Sequence, residues 1–151
     1  MKLIFEFAEH KKEIYRQLAD RRQEFITHML CLYFFPNDES VNHWMKEVYA
    51  LYSDIPKYKH NNKYPSADYI YNAIFGNVED VFYDSFSSKI DVVSSKEDRD
   101  VEHWDADDIY NCFEIIQTYT WWLSKQLSTR GSVNRLECFK LLNKLFYVDR
   151  N

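Results

Sequence analysis

Apolar residues recur at helical spacing along most of the chain, and that period constrains the fold more tightly than any other feature of the sequence. Phe7, Ile14, Leu18, Phe25, Met29 and Leu32 fall three, four or seven apart. This spacing predicts one long amphipathic helix over about 6–34, stopped by Pro36, which disfavours helical backbone in the residue before it. Asn37, Asp38, Glu39 and Ser40 have side chains suited to a helix start. Val41, Trp44, Met45, Val48, Leu51, Tyr52 and Ile55 then continue the period until Pro56. Residues 57–64 are basic and amide-rich with no apolar period, which marks a loop. Ser66 is placed to cap a third helix running to about Phe86, with Gly76 inside it at about 1 kcal/mol relative to alanine. Close packing against a neighbouring helix would account for that glycine.

A fourth helix opens at Asp105, with Asp107 and Asp108 set against the positive end of its dipole. Its stripe is Ile109, Cys112, Phe113, Ile116, Tyr119, Leu123 and Leu127. Gly131 ends it, Ser132 caps a fifth helix, and Val133, Leu136, Phe139, Leu142 and Phe146 form the last stripe. No strand alternation of useful length and no fixed-period repeat remains. The expectation is an all-α, single-domain bundle of about five helices over 1–151, with a long acidic connection between the third and fourth.

Composition narrows the function. With 151 residues, 46% of them hydrophobic, the chain can bury a core. Its two glycines, where average usage of about 7% would give roughly ten, exclude glycine-rich phosphate loops and dinucleotide fingerprints. The net charge of −5 disfavours direct binding to nucleic acid. Cys31, Cys112 and Cys138 are odd in number and lie on or beside apolar stripes, as reduced, buried thiols do. The apolar run at the start is broken by Glu6 and too short for a signal peptide, and no window is apolar enough to span a membrane. A soluble, cytoplasmic protein is expected.

Catalytic signals are weak. Glu24 with His28, His43 with Glu47, and His103 with Asp107 stand four apart. Such pairs arise readily in charged helices, and no two histidines or cysteines show metal-ligand spacing. His28 reads as a boundary residue with one ring nitrogen hydrogen-bonded. Thiols in apolar surroundings are poor nucleophiles, and no serine sits in a Gly-x-Ser-x-Gly turn. We therefore expect no enzyme and no cofactor. A metal-dependent or metal-stabilised helical enzyme built on His28, His43 and nearby carboxylates is one alternative, and a homo-oligomeric structural subunit is another.

Charge distribution is the strongest signal. From Glu79 to Asp108 eleven acids face three basic residues, a local charge of −8 that outweighs the whole chain and leaves +3 for the rest. Such a pole steers a basic partner; a solvated linker that caps a helix and keeps the chain soluble is the plainer alternative. Aromatic residues make up 18%, more than core stripes need, so some rings should reach the surface unless they simply fill the core. In composition and charge, though in no residue motif, the chain resembles the small acidic immunity proteins with which bacteria neutralise nuclease toxins, and phage inhibitors of nucleic-acid-binding machinery. The expected role is to occlude a basic site on a partner protein such as a nuclease. Glu97, Asp98, Asp100, Glu102, Asp105, Asp107 and Asp108 would pair with its cations and Trp104 would anchor the contact.

Overall fold

A computed structural model describes residues 2–76 and 106–147, with side chains from 8–76 and 106–146. Six helices are present among them: α1 (Lys2–Asp20), α2 (Arg22–Phe34), α3 (Val41–Leu51), α4 (Ala67–Phe75), α5 (Ala106–Arg130) and α6 (Arg135–Tyr147). The fold is all-α, and the five expected helices correspond to these six, with α1 and α2 sharing the first. Among the described residues the only β pairing is an isolated antiparallel bridge between Asp54 and Ser132. The long acidic connection falls in 77–105, outside the described residues.

The first helix is not continuous. It breaks at Arg21, because its two halves occupy different environments. Among the described side chains of α1 only Ile14 and Leu18 are fully buried, and the helix packs on α4. In α2 the consecutive residues Met29 to Tyr33 are all buried, so the second half of this helix is covered on every side and packs chiefly against α3, while Gln23 and Glu24 in its first turn stay exposed. At the junction the C-terminal ends of α3 and α4 arrive. Arg21 Nη1 donates to the Leu51 carbonyl at 2.7 Å, while Arg22 donates through Nε to Ile74 (2.9 Å) and through Nη2 to Ala73 (2.6 Å). The last four carbonyls of a helix lack partners within it and carry the negative end of its dipole, so a guanidinium satisfies both needs. Leu18, in the last turn of α1, has the same need, and the buried Tyr52 hydroxyl donates to its carbonyl at 2.6 Å.

Other boundaries shift for similar reasons. The second helix stops at Leu51 rather than Ile55. Tyr52 leaves the helical region, and residues 53–55 run alongside the α5–α6 turn, with Ile55 N donating to Gly131 O and Val133 N to Ser53 O, both at 2.9 Å. Asp38, not Ser40, supplies the side-chain bond at its start, accepting from Ser40 N at 2.7 Å. Ser66 caps α4 as expected, accepting from Tyr69 N. That helix ends at Phe75 instead of passing through Gly76, whose backbone is extended; a Cβ there would stand 2.6 Å from the Asn72 carbonyl. The residues expected to continue it, 77–86, lie outside the described ones, as does Asp105.

The α5 stripe holds. Cys112, Ile116, Tyr119, Leu123 and Leu127 are buried, with Ile109 and Phe113 half-buried beside them. Buried Thr120 and Ser124 donate to the carbonyls four residues back, each at 2.7 Å, so no hydroxyl is left unmatched there. Gly131 ends α5 with φ +73°, its N–H on the Leu127 carbonyl. Asn134 rather than Ser132 caps α6, accepting from Glu137 N at 3.0 Å; Ser132 is held instead in its bridge to Asp54. Leu136, placed on the core stripe by its spacing, is 63% exposed, and Cys138 takes the buried position. Many of the described rings lie in the core: Phe25 meets Tyr52 edge-on at 5.3 Å and Tyr119 in a tilted contact at 5.9 Å.

Tyr52→Phe leaves the Leu18 carbonyl buried without its donor and is expected to cost about 1–3 kcal/mol in urea denaturation. Gly131→Ala is expected to cost more than about 1 kcal/mol, because φ is positive and the new methyl would overlap the Tyr64 ring.

Candidate binding surfaces

Of the residues expected to meet a partner, Glu97, Asp98, Asp100, Glu102, Trp104 and Asp105 lie outside the described residues. Asp107 and Asp108 open α5, the first exposed and the second half-buried. They mark the start of a solvent-facing row. Asp107, Tyr110, Glu114, Gln117, Trp121 and Lys125 follow at intervals of three or four on the face opposite the core stripe, and all are exposed. Tyr110 is 62% exposed and sits one turn from each acid. Neither Asp107 nor Glu114 forms an ion pair with a described residue. Further along, Trp121 is 37% exposed and held in place: it meets Tyr71 of α4 edge-on at 5.5 Å, Gln117 donates to the Tyr71 hydroxyl, and Lys125 Nζ lies 5.3 Å from the indole centre. Its neighbour Trp122 turns the other way and is half-buried against Tyr119.

A second surface has the opposite sign. Lys57, Lys59 and Lys63 project from the loop before α4, with no acid between Asp54 and Asp68. His10 Nε2 meets the Lys57 carbonyl at 2.6 Å and so ties this loop to α1. Beside it, Ala8, Lys11, Lys12 and Tyr15 of α1 and Tyr69 of α4 line an open cleft of about 410 Å³. The Tyr69 hydroxyl donates to the Lys11 carbonyl, and its ring meets Tyr15 and Tyr58 edge-on at 5.7 and 6.1 Å. Tyr69 and Tyr71 are only two apart on α4, so they turn to different neighbours, α1 and α5.

The groups considered for catalysis have structural partners. His28 Nδ1 is bonded to the Glu24 carbonyl at 2.6 Å, not to its carboxylate, and the ring is half-buried as a boundary histidine would be. His43 Nε2 stands 4.0 Å from Glu47 on the surface. Among the described residues no three His, Cys, Asp or Glu side chains converge. The three cysteines are buried thiols that take part in no disulfide. Burial pushes the Cys138 thiol up to about 11, despite its 3.1 Å contact with the Tyr119 hydroxyl, and drives Tyr119 and Tyr52 well above the usual phenol range. No described helix is long and apolar enough to cross a membrane. Comparison with protein-family models, curated proteins and solved structures finds no match.

Sequence reasoning missed Tyr110, the tyrosine that lies between the two surface acids. The signal was available, since a ring three residues from Asp107 and four from Glu114, and off the Cys112–Ile116 stripe, has to face solvent.

A raised thiol pKa in the folded state means that the unfolded chain releases its proton first as pH rises. The native state then binds more protons, and stability falls with pH. Urea midpoints are expected to fall between about pH 9 and 11, with a shallower fall in Cys138→Ala.

Proposed function

We propose that the protein is a small binding module of the inhibitor or immunity type, acting by occupying a basic, phosphate-binding site on a partner protein such as a nuclease. The observation that carries this reading is Tyr110, a largely exposed ring flanked on one helix face by two acids that pair with no described residue. Tyrosine supplies rigid contact area with a polar tip at small entropic cost, and its face attracts arginine. The acids alone would attract cations without fixing a register; the ring adds an anchor.

The charge of the chain leading into α5 supports the same reading. Glu97, Asp98, Asp100, Glu102, Trp104 and Asp105 precede the helix directly, within the −8 stretch, so attraction at long range and anchoring at contact come from neighbouring residues. Electrostatics of this kind raise association rates and decay with salt, whereas a buried aromatic anchor slows dissociation. Occlusion needs no bond-making step, and the buried thiols and carbonyl-bonded His28 fit a molecule whose polar groups serve its own fold.

Capture from a lysate of the native host, at low and high salt and read by quantitative mass spectrometry, tests the proposal. The protein is expected to retain basic proteins at low salt. The pair Asp107→Lys with Glu114→Lys should lose at least tenfold of that yield, and Tyr110→Ala a similar factor that persists at high salt. Retention of the same proteins at full yield by both variants, or partners with no basic bias, would overturn the reading.

A further inference from the structure

We propose that the cleft between α1 and the first turn of α4 is a binding site for a small aromatic anion. It is separate from the α5 face and does not depend on the reading given above. At about 410 Å³ it lies within the range of small-molecule sites, roughly 300–1,000 Å³, and it is built before any ligand arrives. Tyr69 is fixed at three points: its hydroxyl on the Lys11 carbonyl, and its ring edge-on to both Tyr15 and Tyr58. Tyr15 is 39% exposed, so a large ring is kept oriented while much of it remains open to water. Two such walls and the Ala8 methyl suit a flat apolar body, because aromatic rings gain from offset and edge contacts beyond the area they bury.

The rim selects the charge. The Tyr69 hydroxyl is occupied, which leaves the ammonium groups of Lys11 and Lys12 as the strong donors at the mouth. Lys11 Nζ stands 5.2 Å from the Tyr69 ring centre and forms no ion pair with a described residue. The nearby acids compensate only in part: Glu9 reaches Lys12 at 3.8 Å with both side chains in solvent, Glu13 is engaged by Arg16, and Asp68 is exposed at the start of α4. Against them stand Lys57, Lys59 and Lys63 of the loop that His10 ties to α1. A cation would be repelled there, and a neutral ring would forgo the ammonium contacts. A ring bearing a carboxylate, sulfonate or phosphate uses both the walls and the rim.

The probe is 8-anilinonaphthalene-1-sulfonate, compared with its uncharged relative N-phenyl-1-naphthylamine, each titrated by fluorescence into the native protein. The sulfonate is expected to saturate at one per chain, with the neutral compound at least tenfold weaker and inorganic sulfate unable to compete at equal concentration. Lys11→Met with Lys12→Met keeps the apolar stems and should weaken the sulfonate at least tenfold while leaving the neutral compound unchanged. Tyr15→Ser should weaken both. Tyr110→Ser, on the distant exposed ring of α5, should change neither. The lysine side chains are exposed, so an unaltered urea midpoint confirms that their variants fold. Equal affinity for the two probes, wild-type binding by the lysine variant, loss of binding in Tyr110→Ser, or no saturation would each overturn the proposal.

Discussion

Helix ends that point into a protein must find donors for their last carbonyls, and in this bundle the chain supplies them at one place. Arg21, Arg22 and Tyr52 together serve the ends of α1, α3 and α4 at the break between α1 and α2. Hydrogen bonds from a charged donor contribute about 1.5–3 kcal/mol each, so the two bonds of half-buried Arg22 count for more than the more exposed Arg21 contact. The geometric consequence is larger. Beyond the break the second half of α2 is buried in the core against α3, while α1 packs on α4 with most of its described side chains in solvent. Held at this end, α4 forms the cleft with α1 beside Tyr15 and packs on α5, where its Tyr71 meets Trp121.

The parts legible in the sequence are those decided by local chemistry. The α5 stripe, the Ser66 cap and the positive φ at Gly131 depend on side-chain spacing and on backbone preferences within a turn, and these are written in neighbouring residues. The break at Arg21 is not. Its causes are carbonyls at Leu51, Ala73 and Ile74, far along the chain, and the apolar period from Ile14 through Leu18 to Phe25 passes over it undisturbed. Tyr52 misleads for a related reason: it is buried, as its stripe position implies, yet its hydroxyl serves α1, and its backbone has already left the helix for the pairing with the Gly131 turn.

The candidate sites show the same division. Spacing put Asp107 and Asp108 at the head of a helix, and there they are. Among the described residues the rings divide into those buried in the core, those half-buried against it, and Tyr15, Tyr110 and Trp121, which face water. Which side chain does which depends on helix rotation, so Leu136 faces water although its spacing puts it on the core stripe, and Cys138 is buried as an apolar thiol should be. The Tyr15–Tyr69 cleft is not legible in the sequence, since its walls come from helices far apart in the chain. What results is a molecule with two faces of opposite sign: acids and Tyr110 at the start of α5, lysines around the loop and α1. Separated charge of this kind favours oriented encounters, a different device from net charge alone.

The α1–α2 junction holds the end of α4 in place through the Arg22 bonds to the Ala73 and Ile74 carbonyls. Native-state hydrogen exchange of Arg22→Met, compared with the unaltered protein, tests it most directly. Protection should fall selectively in α4, in the amides of Ile70 to Phe75, with α6 unaffected because it packs on α3 and α5. Equal protection in α4 with and without the guanidinium, or a uniform loss across all helices, would contradict it.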